Sequence, residues 1–336
     1  MRTAERPSWV SPVVFVLLLL LLESDRGGGR LYLDLEAPLT QHHHDNADTG
    51  SCWVFTHMNK SGGTTVKRLL RPSLDENGIS YGLYDSPQWK MGLDFLQNDM
   101  LKRGHKMIWG GYTEGIRPYG MFKCKWFTVF RHPVSRLISA YFYCKTNEHD
   151  ALCGIEALTS DTVDLRTFAR HWSNFGLRQL ALAYVQPDAV MSSPFVSADY
   201  SYSNRPGWLL LKRYLDGPNH PDGRRVPDAT MRYLLEPALK MMGEQYAAIG
   251  ILEDWDNSLE LFNVALEFPN FNWTTKFRVL GVQNDIDDEM HRLEADITKL
   301  AHTDAEIKQF LRLDMLLYEH ALAVHRRQLK QYRIVP

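Results

Sequence analysis

Four short runs of β-branched, aromatic and aliphatic residues punctuate the chain, near Trp53–His57, Met107–Tyr112, Phe127–Arg131 and Ala247–Leu252. Each is nearly all apolar rather than alternating, the pattern of a strand covered on both faces in a parallel sheet. Between and after them, apolar residues recur at helical spacing. Helices are predicted near Val134–Cys144, Leu165–His171, Leu177–Ala183, Thr230–Met242 and Trp255–Glu267, with one long helix over Asp304–Gln331. Strands alternating with helices predict an α/β fold, a central parallel sheet flanked by helices. The Pro- and Gly-rich stretch Gly217–Pro227 reads as a surface loop, and its Arg224 and Arg225 are candidates to meet an anionic acceptor.

The beginning of the chain has a different texture. Trp9–Leu22 is an unbroken apolar run after a tail carrying Arg2 and Arg6. It is short against the roughly 20 residues of a bilayer span, so both a signal-anchor and the core of a cleaved signal peptide are open. Glu23-Ser24-Asp25-Arg26 follows with no small-residue cleavage site, and the arginines favour a cytoplasmic N-terminus. The expected organisation is a cytoplasmic tail over residues 1–8, a signal-anchor over 9–22, a stem over 23–50 and one folded domain over 51–336. His42-His43-His44 lies in the stem, where an isolated histidine run is ordinarily polar filler.

Composition adds two constraints. A formal net charge of −2 argues against a nucleic-acid partner, and the basic residues Arg326, Arg327, Lys330 and Arg333 read as an exposed helix face. The four cysteines fit a disulfide-permissive compartment. Cys144 and Cys153, flanking a polar loop, are the expected pair, with Cys52 and Cys124 expected as buried thiols beside strands. No zinc-like spacing occurs. Asn272-Trp273-Thr274 is an N-glycosylation sequon; Asn59-Lys60-Ser61 fits the same pattern, but a glycan there would obstruct the loop described next.

The chemistry concentrates in two segments. After the first apolar run comes Asn59-Lys60-Ser61-Gly62-Gly63-Thr64-Thr65 and then an amphipathic stretch bearing Val66, Leu69 and Leu70. Strand, glycine turn and helix direct backbone N–H groups and a helix N-terminus at an anion. Lys60 adds a point charge and Thr64 and Thr65 add hydroxyl donors. The lysine precedes the glycines, opposite to the nucleotide triphosphatase loop, so ATP or GTP hydrolysis is not implied. The second segment is Trp126–Lys145, in which Arg131 ends a strand, Pro133 suits the first turn of a helix, and Ser135 and Ser139 share a helical face. An arginine fork and a serine two turns along can grip one phosphate. Two such sites about 70 positions apart imply a nucleotide phosphorylated at both ends.

Together these segments resemble the Golgi carbohydrate sulfotransferases, in particular the heparan sulfate 2-O- and 6-O-sulfotransferase branch. The resemblance implies a P-loop-like three-layer fold and use of 3′-phosphoadenosine 5′-phosphosulfate (PAPS). It assigns Lys60, Ser61, Gly62, Gly63, Thr64 and Thr65 to the 5′-phosphosulfate, and Arg131 with Ser139 to the 3′-phosphate. Two further similarities follow in order: Gly250–Asp254 with Ser258–Phe262, and Asp314–Ala321. The implied activity is sulfuryl transfer to a glycan hydroxyl by a type II Golgi membrane protein with a lumenal domain, with Lys60 catalytic. A tyrosine or small-alcohol acceptor, and a non-catalytic nucleotide- or glycan-binding relative, are the alternatives.

Sulfuryl transfer develops less charge than phosphoryl transfer, where metals recur, so no metal is required. A base must take the acceptor's proton. The 2-O- and 6-O- enzymes carry a histidine where this chain reads Trp109-Gly110-Gly111-Tyr112-Thr113-Glu114. Glu114 is the substitute, with His105 and His57 as runners-up. Asn174 and Arg178, in the segment SNFGLRQL, faintly resemble another family stretch.

Overall fold

The computed structural model describes residues 52–83, 105–111, 113–114, 124–147, 163–181, 228–280 and 288–334. The apolar run 9–22, the histidine run, the loop at 217–227 and Cys153 lie outside these residues. Among the described residues, no helix is long and apolar enough to cross a membrane.

Five strands form one parallel sheet in the order β2-β3-β1-β4-β5. They are β1 (Trp53–Thr56), β2 (Tyr81–Leu83), β3 (Met107–Gly110), β4 (Lys125–Phe130) and β5 (Tyr246–Ile251). The central strands are buried along nearly their whole length, which explains why they read as continuous apolar runs. Their side chains still alternate between two cores. Trp53, Phe55, Met107, Trp109, Phe127 and Val129 pack on one face, and Val54, Ile108, Trp126 and Phe130 on the other.

Helices cover both faces. On the first lie α1 (Gly63–Glu76), α6 (Trp255–Leu266) and α7 (Trp273–Leu280), contributing Val66, Leu70, Leu259, Phe262 and Trp273. On the second lie α2 (Pro133–Thr146), α3 (Leu165–His171), α4 (Phe175–Ala181) and α5 (Asp228–Gln245). They are joined there by α8 (Asp288–Thr303), α9 (Ala305–Phe310) and α10 (Arg312–Gln331). The expected α/β class is therefore present, with a five-stranded, all-parallel central sheet flanked by helices.

Two expectations are corrected. The long terminal helix over Asp304–Gln331 is two helices, α9 and α10, parted at Leu311. Asn174, in the left-handed region at φ 48°, intrudes on the helical ladder: its N–H donates to the Phe310 carbonyl at 3.2 Å, and its side-chain oxygen accepts from Leu313 N at 3.1 Å. Asp304 starts α9 by accepting from the N–H groups of Glu306 and Ile307. The second correction concerns Cys52 and Cys124, which form a disulfide with Cα atoms 4.7 Å apart instead of remaining thiols. The parallel register explains it. Trp53 lies beside Lys125, so the residues immediately before each strand must meet. Cys144 is also disulfide-bonded.

Candidate active site at the switch point of the sheet

The connections from the adjacent strands β1 and β4 depart in opposite directions, β1 toward the β2 edge and β4 toward β5. In an open α/β sheet such a reversal leaves a crevice beyond the carboxyl ends of the two strands. The two motif loops flank this crevice, residues 57–62 after β1 and residues 131–132 after β4.

The first loop is shaped by two left-handed backbone positions and one close contact. Lys60 stands in the left-handed region at φ 62° and Gly62 at φ 82°, Gly62 being the N-cap of α1. A Cβ on Gly62 would also press on Leu252 at 3.0 Å. At Gly63 the constraint is contact: a Cβ would lie 1.8 Å from the His57 ring. The paired glycines thus let the chain turn sharply beneath the His57 ring and Leu252. Among the described residues no side chain caps α1 at Gly62, and its first turn holds no acidic residue, so the positive end of the helix faces the loop. Ser61 is 1% exposed, and its hydroxyl has no partner among the described residues; the same holds for the buried Asn59 Nδ2. Buried polar atoms of this kind are costly unless something satisfies them. The inaccessibility of Asn59 also sets its sequon apart from that at Asn272, which is exposed and accepts from Thr275 N at the start of α7.

The second motif abuts the first. Arg131 Nη1 donates to the Lys60 carbonyl at 3.4 Å, and the Lys60 ammonium lies 3.7 Å from the centre of the Tyr143 ring on α2. Ser139, half-buried, precedes Tyr143 by four residues on that helix and so shares its face. Thr64 is exposed and Thr65 half-buried on the first turn of α1.

The two later segments of similarity arrive at the same edge. Glu253 accepts from His132 N at 2.8 Å and from the Tyr318 hydroxyl at 3.0 Å. Burial, reinforced by the Glu253 carboxylate, pushes the Tyr318 phenol well above its ordinary range. Burial likewise lowers the His132 imidazole, with Glu253 opposing and His302 assisting. Ser258, at the start of α6, accepts from Ile251 N at 2.8 Å. Asp314 bonds Arg136 and also accepts from Leu177 N at 2.9 Å and Gly176 N at 3.2 Å, tying α2, α4 and α10 together.

The three expected bases occupy different places. Glu114 is completely buried. Its Oε1 accepts from Thr56 Oγ1 at 2.9 Å and from the Tyr246 hydroxyl. Thr113 Oγ1 donates to Thr56 Oγ1 at 3.1 Å, completing a polar cluster at the carboxyl end of β1. His57 is half-buried, its ring against Gly63. His105 does not join the site. It precedes β3, bonded to Ser80 at the amino edge of the sheet, opposite the loops.

Sequence reasoning overlooked one residue that shapes the loop. Gln179 of α4 is fully buried. Its Oε1 accepts from Asn59 N at 3.2 Å, while Nε2 donates to the carbonyls of Gly111 at 3.3 Å and His57 at 3.4 Å. It braces the loops after β1 and β3 with one amide. A glutamine within a helical pattern carries no local mark of such a role. Arg178 beside it is buried and donates to the His171 carbonyl.

Among the described residues, no group of three or more His, Cys, Asp or Glu side chains is arranged to hold a metal ion. Compared with known proteins, the chain matches no protein-family model and aligns with no curated protein sequence.

Proposed function

We propose that the protein is a PAPS-dependent sulfotransferase that transfers a sulfuryl group in line to a glycan hydroxyl. One observation carries this reading. Two strand-to-helix junctions, one bearing Lys60 and the paired glycines and the other bearing Arg131, meet across the β1/β4 switch point, where Arg131 touches the backbone of Lys60. The residues fit a nucleotide phosphorylated at both ends. The Ser61 hydroxyl and the N-terminus of α1, neither with a side-chain partner among the described residues, suit the 5′-phosphosulfate, and Arg131 with Ser139 suits the 3′-phosphate. When bound, PAPS supplies the sulfuryl group and a phosphate as leaving group.

The remaining work falls to the chain. Lys60 neutralises charge on the departing phosphate, assisted by N–H groups from Gly62 to Thr65. Glu114 takes the proton of the acceptor hydroxyl, its carboxylate oriented by Thr56 and Tyr246. A second assignment of the base has its own support: His57 is half-buried and lies directly against Gly63 at the helix N-terminus, whereas Glu114 is fully buried.

The disulfide-bonded state of Cys52, Cys124 and Cys144 supports folding in an oxidising compartment, as expected for a lumenal Golgi domain anchored through residues 9–22 and carrying a glycan at Asn272. The deciding experiment incubates the purified protein with radiolabelled PAPS and a panel of glycans, peptides and small alcohols. Label on a glycan supports the reading, and label on a peptide or small alcohol moves the protein to a non-glycan class. Tight binding of adenosine 3′,5′-bisphosphate without any transfer would identify a non-catalytic binder, and neither binding nor transfer would end the proposal.

A further inference from the structure

Resting on the assignment of Lys60 above, we infer that Tyr143 is a positioning residue that holds the Lys60 side chain in place and joins the two phosphate half-sites. Lys60 is a non-glycine residue in the left-handed region at φ 62°, a conformation that costs free energy unless its surroundings enforce it. With its backbone so placed, the side chain crosses to α2, where the ammonium lies 3.7 Å from the centre of the Tyr143 ring. That is well inside the range over which an aromatic face attracts a cation.

The placement on α2 gives the contact its meaning. Ser139 and Tyr143 are four residues apart and lie one above the other on the helix. The same helix face therefore presents a hydroxyl to one half-site and a π face to the lysine of the other. Arg131, at the end of β4, donates to the Lys60 carbonyl. Lys60 is thus fastened to the second motif at both ends, its backbone by Arg131 and its ammonium by Tyr143. A long, rotamer-rich lysine fixed this way loses less freedom when it must meet a developing charge.

The ring face, rather than the hydroxyl, is the working part, which makes the inference testable by substitution. Reductive methylation followed by mass spectrometry of the Lys60 peptide reports the accessibility of the amine without reference to any activity. Lys60 should be modified several-fold faster in Tyr143→Leu than in the wild type, and at the wild-type rate in Tyr143→Phe. If the leucine variant does not fold, Tyr143→Met offers similar volume without a π face and should behave in the same way. In the transfer assay, Tyr143→Leu should lower kcat by about 3- to 30-fold, the range for losing a partly to fully desolvated cation–π contact. KM for PAPS should stay within about twofold, and Tyr143→Phe should restore kcat. Equal methylation rates in the wild type and the leucine variant, or a phenylalanine variant as impaired as leucine, would overturn the positioning role. A shift in methylation as expected, with no transfer by any of the proteins, would leave the positioning role standing and remove the sulfotransferase reading instead.

Discussion

Replacing Cys52 and Cys124 together by alanine removes a link whose energetic weight follows from its place in the chain. The two cysteines are separated by 72 positions. Closing a loop of that size restricts the unfolded ensemble by ~15 cal/mol/K, or ~4 kcal/mol at about 25 °C, on the chain-entropy account. Ordinary small domains are stable by only about 5–15 kcal/mol, so the loss should be conspicuous. Denaturant titrations of the wild type and the double variant should show a lower midpoint, with a steeper slope as the unfolded chain expands. Nucleotide binding, measured where both proteins are folded, should be almost unchanged, because the disulfide lies at the amino edge of the sheet and the motif loops at the carboxyl edge. A loss of stability under about 1 kcal/mol would refute the entropic argument. Folded protein that no longer binds nucleotide would show instead that the link sets the spacing of β1 and β4.

Lys60→Ala should lower kcat about 10²- to 10³-fold while leaving thermal unfolding nearly unaltered, checked by single-turnover transfer and calorimetry. Arg131→Ala should raise KM for PAPS more than it lowers kcat, and more than Ser139→Ala does, since charged hydrogen bonds are roughly twice as strong as neutral ones; the analogue lacking the 3′-phosphate should show no such difference. Glu114→Gln should cut kcat about 10²- to 10⁴-fold if Glu114 is the base, and an active glutamine variant beside an inactive His57→Ala would pass that role to His57. Burial holds the His132 imidazole below its ordinary value, so the unfolded chain binds the additional proton first. Its contribution to stability is complete above the ordinary histidine value of about 6.5 and declines as pH falls toward the folded value. Unfolding midpoints measured from pH 7.5 to pH 5 should therefore fall less in His132→Gln than in the wild type.

The strands that were legible in the sequence are the buried ones. Val54, Phe55, Ile108, Phe127 and Ile249 are covered on both faces and leave continuous apolar runs. Edge strand β2, only Tyr81–Leu83 with Leu83 exposed, leaves no such run. Helix α1 runs through Pro72 to Glu76 because Ser73 and Leu74 are buried beyond it, a tertiary reason that a local proline rule cannot anticipate. The positions of the glycine turn and of Arg131 were legible because paired glycines after β1 and Pro133 after β4 mark strand-to-helix junctions within a short span. Contacts between distant segments were not. The division of α9 from α10 depends on Asn174, and the Cys52–Cys124 link depends on strand order. Glu114 was noticed as a carboxylate, but its complete burial beside Thr56 and Tyr246 depends on residues 58 and 132 positions away.

The involvement of α10 has a consequence for synthesis on the ribosome. Asp314 joins Arg136 to the start of α4, Tyr318 meets Glu253, and Gln328 bonds the backbone of β5 on both sides, accepting from Ile249 N and donating to the Tyr246 carbonyl. The loops that carry Lys60 and Arg131 emerge early, but the helix that supports the α2 and β5 side of the crevice emerges more than 150 residues later. At about 5–20 residues per second, the nascent chain spends roughly 10 seconds or longer with these two loops made and their support missing. During that interval the apolar faces of β4 and α2 have no α10 to cover them, while the Cys52–Cys124 link can already close. On the function proposed above, nucleotide binding by arrested nascent chains should therefore begin only when α10 has cleared the ribosome.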